Sequence, residues 1–214
     1  DNSGSMSSKL YASVEVYYPL DVATDSSGNV YVLEYHNNRI KVFDSSGAYL
    51  RTFGGWGSGC TRWKSARQFD IYDDKIYIAD TYGRTIKVLD LNGGCIKDVN
   101  SVYSYPHAIA VTSSYVYVGY PTSYISVHAR GSMSRLNTKS YSSLSYSWGM
   151  SVNSAGNKLI IADYNKNRVT EFTVSGTSIS YSQATSASWS SSDGYFKRPT
   201  DAAYDSNGNI YAIG

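Results

Sequence analysis

The sequence predicts an all-β protein made of radial four-stranded sheets, a β-propeller. A short strand-like segment recurs at intervals of 46, 40, 43 and 51 residues, and its copies end at Glu34, Asp80, Tyr120, Asp163 and Gly214. Intervals of this length are typical of one propeller blade. The composition agrees, because 22 Tyr among 214 residues suit a pleated, half-buried surface.

The chain length fits one well-filled domain. We expect that domain to cover residues 1–214. The predicted repeats are residues 19–64, 65–105, 106–147, 148–198 and 199–214, the last completed by 1–18.

Each repeat is predicted to hold four strands, named a to d from the channel outwards. Strand b of the first repeat alternates, with Val30 and Val32 set against Tyr31 and Leu33. Tight turns separate the strands. In these turns an Asp or Asn side chain caps nearby amides and Gly takes a positive φ. The turns are "DSSGN" (25–29), "YDDK" (72–75), "NSAGN" (153–157) and "DSNGN" (205–209).

Closure of the ring depends on the N-terminal segment. Residues 5–18, "SMSSKLYASVEVYY", alternate like an outer strand, so we expect them to supply strand d of the last repeat. This gives five blades closed between the two termini. The alternative is part of a six-bladed propeller. An open blade edge would also permit self-assembly with a second copy.

The repeats resemble a known family. "PLDVATDSSGNVYVLEYHNNRIKVFDSSGAYLRTFG" (19–54) is similar to an NHL repeat along its length, and "PTDAAYDSNGNIYAIG" (199–214) is similar to the front half of one. Residues 148–174 also match in outline, with Trp148 in the place of Pro, and the resemblance is moderate over 66–90 and 106–129. It implies a β-propeller, commonly of six blades, that acts as a binding platform.

Glu34, His36 and Arg39 look like a catalytic cluster, but the pattern recurs. Asp80 and Asp163 take the place of Glu34, and Arg168 takes the place of Arg39. A catalytic group is needed once, whereas a packing device is needed in every blade. We therefore predict a structural role for Glu34, Arg39, Asp80, Asp163 and Arg168.

The connections from strand d to the next strand a share one side with the b–c loops, here called the loop face. All four Trp fall in these connections, beside the basic segments "TRWKSAR" (61–67) and "YFKRP" (195–199). Trp56, Trp63 and Trp189 are expected to be exposed, while Trp148 could equally wedge between blades. The predicted ligand-binding residues are Trp63, Lys64, His107, Trp148, Lys197 and Arg198.

No metal or cofactor is predicted. His36, His107 and His128 lie on separate blade positions without the spacing of a metal site. Some propeller lyases related to NHL proteins use His-bound metal at the channel. A metal-dependent lyase using His36 and His107 is therefore kept as an alternative.

The predicted function is a non-enzymatic module that binds a protein or glycan through the aromatic and basic loop face. The Ser-, Thr- and Tyr-rich composition indicates an extracellular or cell-surface location. An RNA-binding propeller is the other alternative, although a net charge of +2 argues against nucleic acid. The sequence has no apolar stretch long enough to span a bilayer.

Cys60 and Cys95 are predicted to be unpaired. Cys60 belongs to a loop-face connection, whereas Cys95 opens strand d from the opposite face. A blade strand of five residues spans roughly 17 Å, which exceeds the reach of a disulfide unless the long connection folds down the outside.

Overall fold

The computed structural model describes residues 14–100, 103–184 and 197–214. These residues form eighteen strands and one short 3₁₀ turn, Tyr164–Lys166. No helix among them is long and apolar enough to cross a membrane. The prediction of an all-β propeller is confirmed.

Four sheets are complete blades, and each is an antiparallel meander of four consecutive strands. The first is β1 (Pro19–Thr24), β2 (Val30–Glu34), β3 (Arg39–Phe43) and β4 (Tyr49–Gly54). The second is β5 (Phe69–Tyr72), β6 (Lys75–Asp80), β7 (Thr85–Asp90) and β8 (Cys95–Val99). The third is β9 (Ala108–Val111), β10 (Tyr115–Gly119), β11 (Tyr124–Ala129) and β12 (Arg135–Ser140). The fourth is β13 (Ser147–Val152), β14 (Lys158–Asp163), β15 (Arg168–Ser175) and β16 (Ser178–Ala184).

The fifth sheet has two strands in the described residues, β17 (Asp201–Tyr204) and β18 (Ile210–Ile213). The described chain therefore shows four complete blades and a partial one, where five blades were expected. Ile210 and Ile213 of β18 are exposed, because no strand covers them there. Of the predicted outer strand 5–18, residues 14–18 form no strand and residues 5–13 lie outside the described residues.

The inner strands a are neighbours around the channel, since β1 contacts β5, β5 contacts β9, β9 contacts β13 and β13 contacts β17. The blades are joined by apolar clusters that lie between neighbouring sheets. Leu33 and Ile40 of the first blade pack with Ile78 of the second, and Tyr117 of the third packs with Phe172 of the fourth. Burial of apolar surface between blades is thus the main source of stability, as in other repeat architectures.

The predicted turn chemistry is present. The Asp25 carboxylate accepts hydrogen bonds from the backbone N–H groups of Ser27 and Asn29, each at 2.9 Å. Gly28 has a φ of 79°, which favours glycine. Asp205 repeats these bonds with Asn207 and Asn209 in the fifth sheet.

Trp63 is fully buried, so the prediction that it is exposed is wrong. The connection between the first two blades folds back on itself, and the backbone N–H of Trp63 donates to the Gly55 carbonyl at 3.2 Å. This places the indole in the apolar cluster between those blades, against Ile40 and Ile78. Trp56, in the same connection, is exposed as predicted. Trp189 lies outside the described residues.

Cys60 and Cys95 form a disulfide, with their Cα atoms 5.5 Å apart, so the prediction of unpaired cysteines is wrong. The expected separation assumed that Cys60 stays on the loop face. Instead, the connection carries Cys60 to the first residue of β8, where it packs against the apolar cluster between the first two blades. The long connection folds down the outside of the blade, which brings Cys60 within reach of Cys95.

Replacing both cysteines with serine is expected to lower the free energy of unfolding by about 3 kcal/mol. The bond closes a chain segment with a sequence separation of 35 residues, and its loss restores conformational freedom to the unfolded state. Urea denaturation with and without a reducing agent measures this loss. The reducing agent should destabilise the wild type and leave the double variant unchanged. Equal stability of wild type and the double variant without the reducing agent would contradict the prediction.

Candidate functional site at the channel mouth

An acidic side chain at the end of strand b fixes the connection that enters the channel. Glu34 accepts a hydrogen bond from the Tyr17 N–H at 2.7 Å, and Asp80 accepts one from the Lys64 N–H at 2.7 Å. Asp163 accepts bonds from the N–H groups of Ser145 and Tyr146. The recurring acid therefore holds the backbone of the loop face in place.

The third blade achieves the same anchoring without a charge. Tyr120 stands where the other blades have an acid, and its hydroxyl accepts a hydrogen bond from the Tyr103 N–H at 3.1 Å. That hydroxyl also lies 2.7 Å from the Ser126 hydroxyl, which contacts His128 at 3.0 Å. A buried polar network thus replaces the carboxylate.

The arginines of the pattern do not all act alike. Arg39 forms a salt bridge with Glu34, and Lys41 adds a second at 2.9 Å. Arg168 lies opposite Asp163 in the strand register but donates its hydrogen bond to the Ser143 carbonyl.

Glu34 is the acid most strongly favoured in its charged form. Burial opposes its ionisation, but hydrogen bonds from Arg39, the Tyr17 N–H and Lys41 outweigh that effect and lower its pKa to about 2. Burial dominates at Asp80 and Asp163, and raises the pKa of both.

The strand register brings one position of every blade to the channel mouth. Leu33 pairs with Asp21, and the equivalent residues of the other blades pair with or hydrogen-bond to Gln68, Ala108, Gly149 and Asp201. The residue before each of these faces the mouth. These residues are Leu20, Arg67, His107, Trp148 and Thr200.

Three of these side chains meet two tyrosines, and together we call them the channel-mouth cluster. The guanidinium carbon of Arg67 lies 4.6 Å from the Trp148 ring centroid and 5.4 Å from that of Tyr35. Tyr164 stacks on Trp148 with ring centroids 4.6 Å apart, and His107 lies 6.0 Å from Trp148. The cluster comprises Tyr35, Arg67, His107, Trp148 and Tyr164.

His107 is neutral at physiological pH. Its ring is 5 % exposed and packs edge-on against Tyr146 at 5.3 Å. Burial, with the positive charge of Arg67, lowers its pKa to about 3. The fixed positive charge of the cluster therefore belongs to Arg67 alone.

Below the mouth, Gln68 links the second blade to the third and fourth blades and to the fifth sheet. Its Oε1 accepts hydrogen bonds from the N–H groups of Ile109 at 2.9 Å and Met150 at 3.1 Å. Its Nε2 donates to the Met150 carbonyl at 3.0 Å and lies 3.4 Å from Asp201. Asp21 accepts a bond from the Phe69 N–H at 2.8 Å. This layer links inner strands rather than presenting groups to a ligand.

The channel acids are harder to ionise than acids in water. Burial raises the pKa of Asp70 and of Asp201 to about 6. Burial, together with the charge of Asp201, raises the pKa of Asp21 well above its usual value.

Asp201→Asn is expected to stabilise the protein at pH 7.5 and to have little effect at pH 4.5. Because the folded-state pKa lies above the unfolded one, the acid stabilises the fold below about pH 4, and this contribution is lost as the pH rises through about 6. Allowing for partial exposure, we expect a gain of about 1 to 2 kcal/mol at pH 7.5. Thermal melts at both pH values measure it.

Asp205→Asn, in an exposed turn, is the matched control and should give no gain at pH 7.5. Hydrogen bonds from Asn209 lower the pKa of Asp205, so its ionisation does not oppose folding. Equal effects of the two substitutions at pH 7.5 would contradict burial as the cause.

The structure brings His107 and Trp148 of the predicted site into direct contact and places Arg198 beside them, with its guanidinium carbon 5.4 Å from the Tyr164 ring. Lys197 is exposed, and Lys64 anchors its connection through its backbone. Trp63 lies in the core and is not exposed for contact with a binding protein.

Arg67, Tyr35 and Tyr164 were not predicted as site residues. Aligning the inner strands on their strand-b partners would have found Arg67, because it shares a position with His107 and Trp148. Tyr35 and Tyr164 each follow the anchoring acid of their blade, which is a second recurring position.

The three histidines do not meet. His36 is exposed between Tyr18 and Tyr35, and His128 is buried in β11 of the third blade. Within the described residues, no group of three His, Cys, Asp or Glu is arranged to hold a metal ion.

Residues 16–43 match the family model described as NHL repeat. This segment contains β1 to β3, so the resemblance seen in the sequence is confirmed for the first blade. No curated protein matches the chain.

Among solved structures, the chain is similar to hydrazine synthase from Kuenenia stuttgartiensis, with a TM-score of 0.67 and 12 % identity. The match covers 98 % of this chain and 58 % of that one, so the chain spans little more than half the length of that protein. A likeness at this identity shows the fold alone.

Proposed function

Since residues 16–43 form an NHL repeat within a β-propeller, we propose that this chain is a non-enzymatic module that binds a partner protein through its loop face. The observation that carries the proposal is the channel-mouth cluster. The repeat geometry gathers an arginine, a histidine and several aromatic rings from different blades on one face.

Exposed tyrosines extend this surface outwards. Tyr18, Tyr82 and Tyr105 are between 41 % and 57 % exposed, and Arg84 lies 5.1 Å from the Tyr105 ring. Tyr, Trp and Arg are the residues most often found at the energetic centres of protein interfaces. Their side chains are held by ring contacts, which lowers the entropy lost on binding.

A protein ligand is better supported than a glycan. Sugars commonly stack on an open aromatic face, but Tyr164 and Arg67 both lie 4.6 Å from the Trp148 centroid. The indole is thus engaged by its own neighbours. RNA binding has no specific support, because the net charge is only +2.

We also propose an extracellular or cell-surface location. The disulfide between Cys60 and Cys95 supports it, because such bonds persist in oxidising compartments and are rare in the cytosol.

The test is affinity capture from an extract of the cells that make the protein, followed by mass spectrometry. We expect Tyr164→Ala/Arg198→Ala to lose at least nine-tenths of the partner that wild type retains, on the order of 1.4 kcal/mol or more in binding. The removed groups form an aromatic–arginine pair on the loop face.

The matched control is Tyr72→Ala/Arg130→Ala, which removes a similar pair, 4.9 Å apart, on the opposite face. It should retain the partner. Loss of the partner with the control but not with the loop-face variant would overturn the proposal.

A further inference from the structure

Two buried polar atoms of the channel-mouth cluster have no hydrogen-bond partner in the described part of the chain. They are Nε of Arg67 and Nδ1 of His107. A buried polar group without a partner is costly and calls for a specific explanation, such as an absent ligand or ion. Arg67 and His107 occupy equivalent positions on the neighbouring second and third blades. Arg67 is close enough to influence the ionisation of His107.

Arg67 forms no salt bridge among the described residues, whereas the fully buried cations Lys41 and Lys87 each pair with a carboxylate. Its guanidinium is held between Trp148 and Tyr35 at 4.6 and 5.4 Å. Arg67 is half-buried, so part of the residue remains open to solvent.

A planar guanidinium fixed in this way is suited to a carboxylate, which it can bind through two parallel hydrogen bonds. The ligand must arrive from the mouth. The cavity that Arg67 and Trp148 share with Asp21, Gln68 and Asp201 has a volume of about 30 Å³, enough for water alone. Asp21 and Asp201 accept hydrogen bonds from the backbone N–H groups of Phe69 and Ala202, and neither forms a salt bridge with Arg67.

We propose that Arg67 binds the carboxylate of an aspartate or glutamate side chain on the partner protein. This inference rests on the proposed function and names the chemistry that the loop face recognises. The rings of Tyr35 and Trp148 contact the guanidinium, and its partial burial makes an ion pair there stronger than one in bulk water. The engaged indole of Trp148 favours a protein side chain over an acidic sugar.

The probe is a fluorescein-labelled hexaglutamate peptide with both ends blocked, and its binding is followed by fluorescence anisotropy at low salt. Hexaglutamine with the same label is the uncharged comparison. We expect wild type to bind hexaglutamate only, and Arg67→Gln to bind it at least tenfold more weakly. Arg67→Lys should recover part of the loss, because it keeps the positive charge but cannot form the two parallel hydrogen bonds of a guanidinium.

The matched control is Arg135→Gln, which removes an exposed arginine from outer strand β12. It should bind hexaglutamate within twofold of wild type. Thermal melts of each variant establish that the fold is intact.

Equal weakening by Arg67→Gln and Arg135→Gln would show attraction to total charge and overturn the assignment, as would no binding at all. Tighter, Arg67-dependent binding of a hexameric oligogalacturonate would transfer the site to acidic sugars and also overturn it. Capture of the partner protein by Arg67→Gln as efficiently as by wild type would refute the role of Arg67 and leave the proposed function standing.

Discussion

Replacing Trp63 with alanine is expected to lower the free energy of unfolding by about 4 kcal/mol. The indole is fully buried between the first and second blades, where it packs against Ile40 and Ile78. Gly54 lies so close to the ring that a Cβ there would collide with it, so the surrounding chain has little freedom to collapse into the cavity. Large-to-small changes at such sites combine lost burial with a residual void.

Urea denaturation followed by circular dichroism measures this change. Trp56→Ala is the matched control, because it removes the same side chain from the same connection at a position that is 63 % exposed. We expect it to cost no more than about 0.5 kcal/mol. Similar losses for both variants would contradict the interpretation that Trp63 belongs to the core.

Replacing Glu34 with alanine is also expected to cost about 4 kcal/mol at pH 7. The substitution leaves Lys41, which is 4 % exposed, without its carboxylate partner and releases the Tyr17 N–H. Removing one member of a buried ion pair leaves an uncompensated charge, which is more harmful than removing both. Arg39→Ala is the milder comparison, because its side chain is 37 % exposed.

The loss should shrink in acid. The folded-state pKa of Glu34 lies at about 2, below the value of 4.5 for a free glutamate, so its contribution is present above about pH 4.5 and declines as the pH falls towards 2. Denaturation curves of wild type and variant at pH 7 and pH 3 check this sign. A loss that stays constant or increases at pH 3 would contradict it.

The propeller was predictable because its signals are local and repeated. Alternation within strands such as Val30–Glu34 and the Asp–Gly turns specify hairpins, and their spacing specifies blades. Trp63 and Cys60 were misjudged because they belong to a connection with no counterpart in the other repeats. Where an unrepeated segment packs depends on the surface it finds, which no period within the chain reveals.

The site was predictable in part for a related reason. His107 and Trp148 were recognised as loop-face residues from their position before strand a. Arg67 occupies the same position, but its segment "TRWKSAR" also holds Trp63 and Lys64, and the sequence alone favours these as binding residues. That Arg67 forms no salt bridge with the described residues is a property of distances and can be known only from the structure.

The disulfide has a mechanical consequence for a chain stretched from its two ends. Force would pass directly from Cys60 to Cys95, so the intervening segment, which carries β5 to β7, would bear no load. About 120 Å of contour length is hidden in this way, since each extended residue contributes roughly 3.4 Å. Under tension β5 to β7 would remain within a closed loop while β8 and the other blades are pulled straight, and reduction of a single bond would release the hidden length at once.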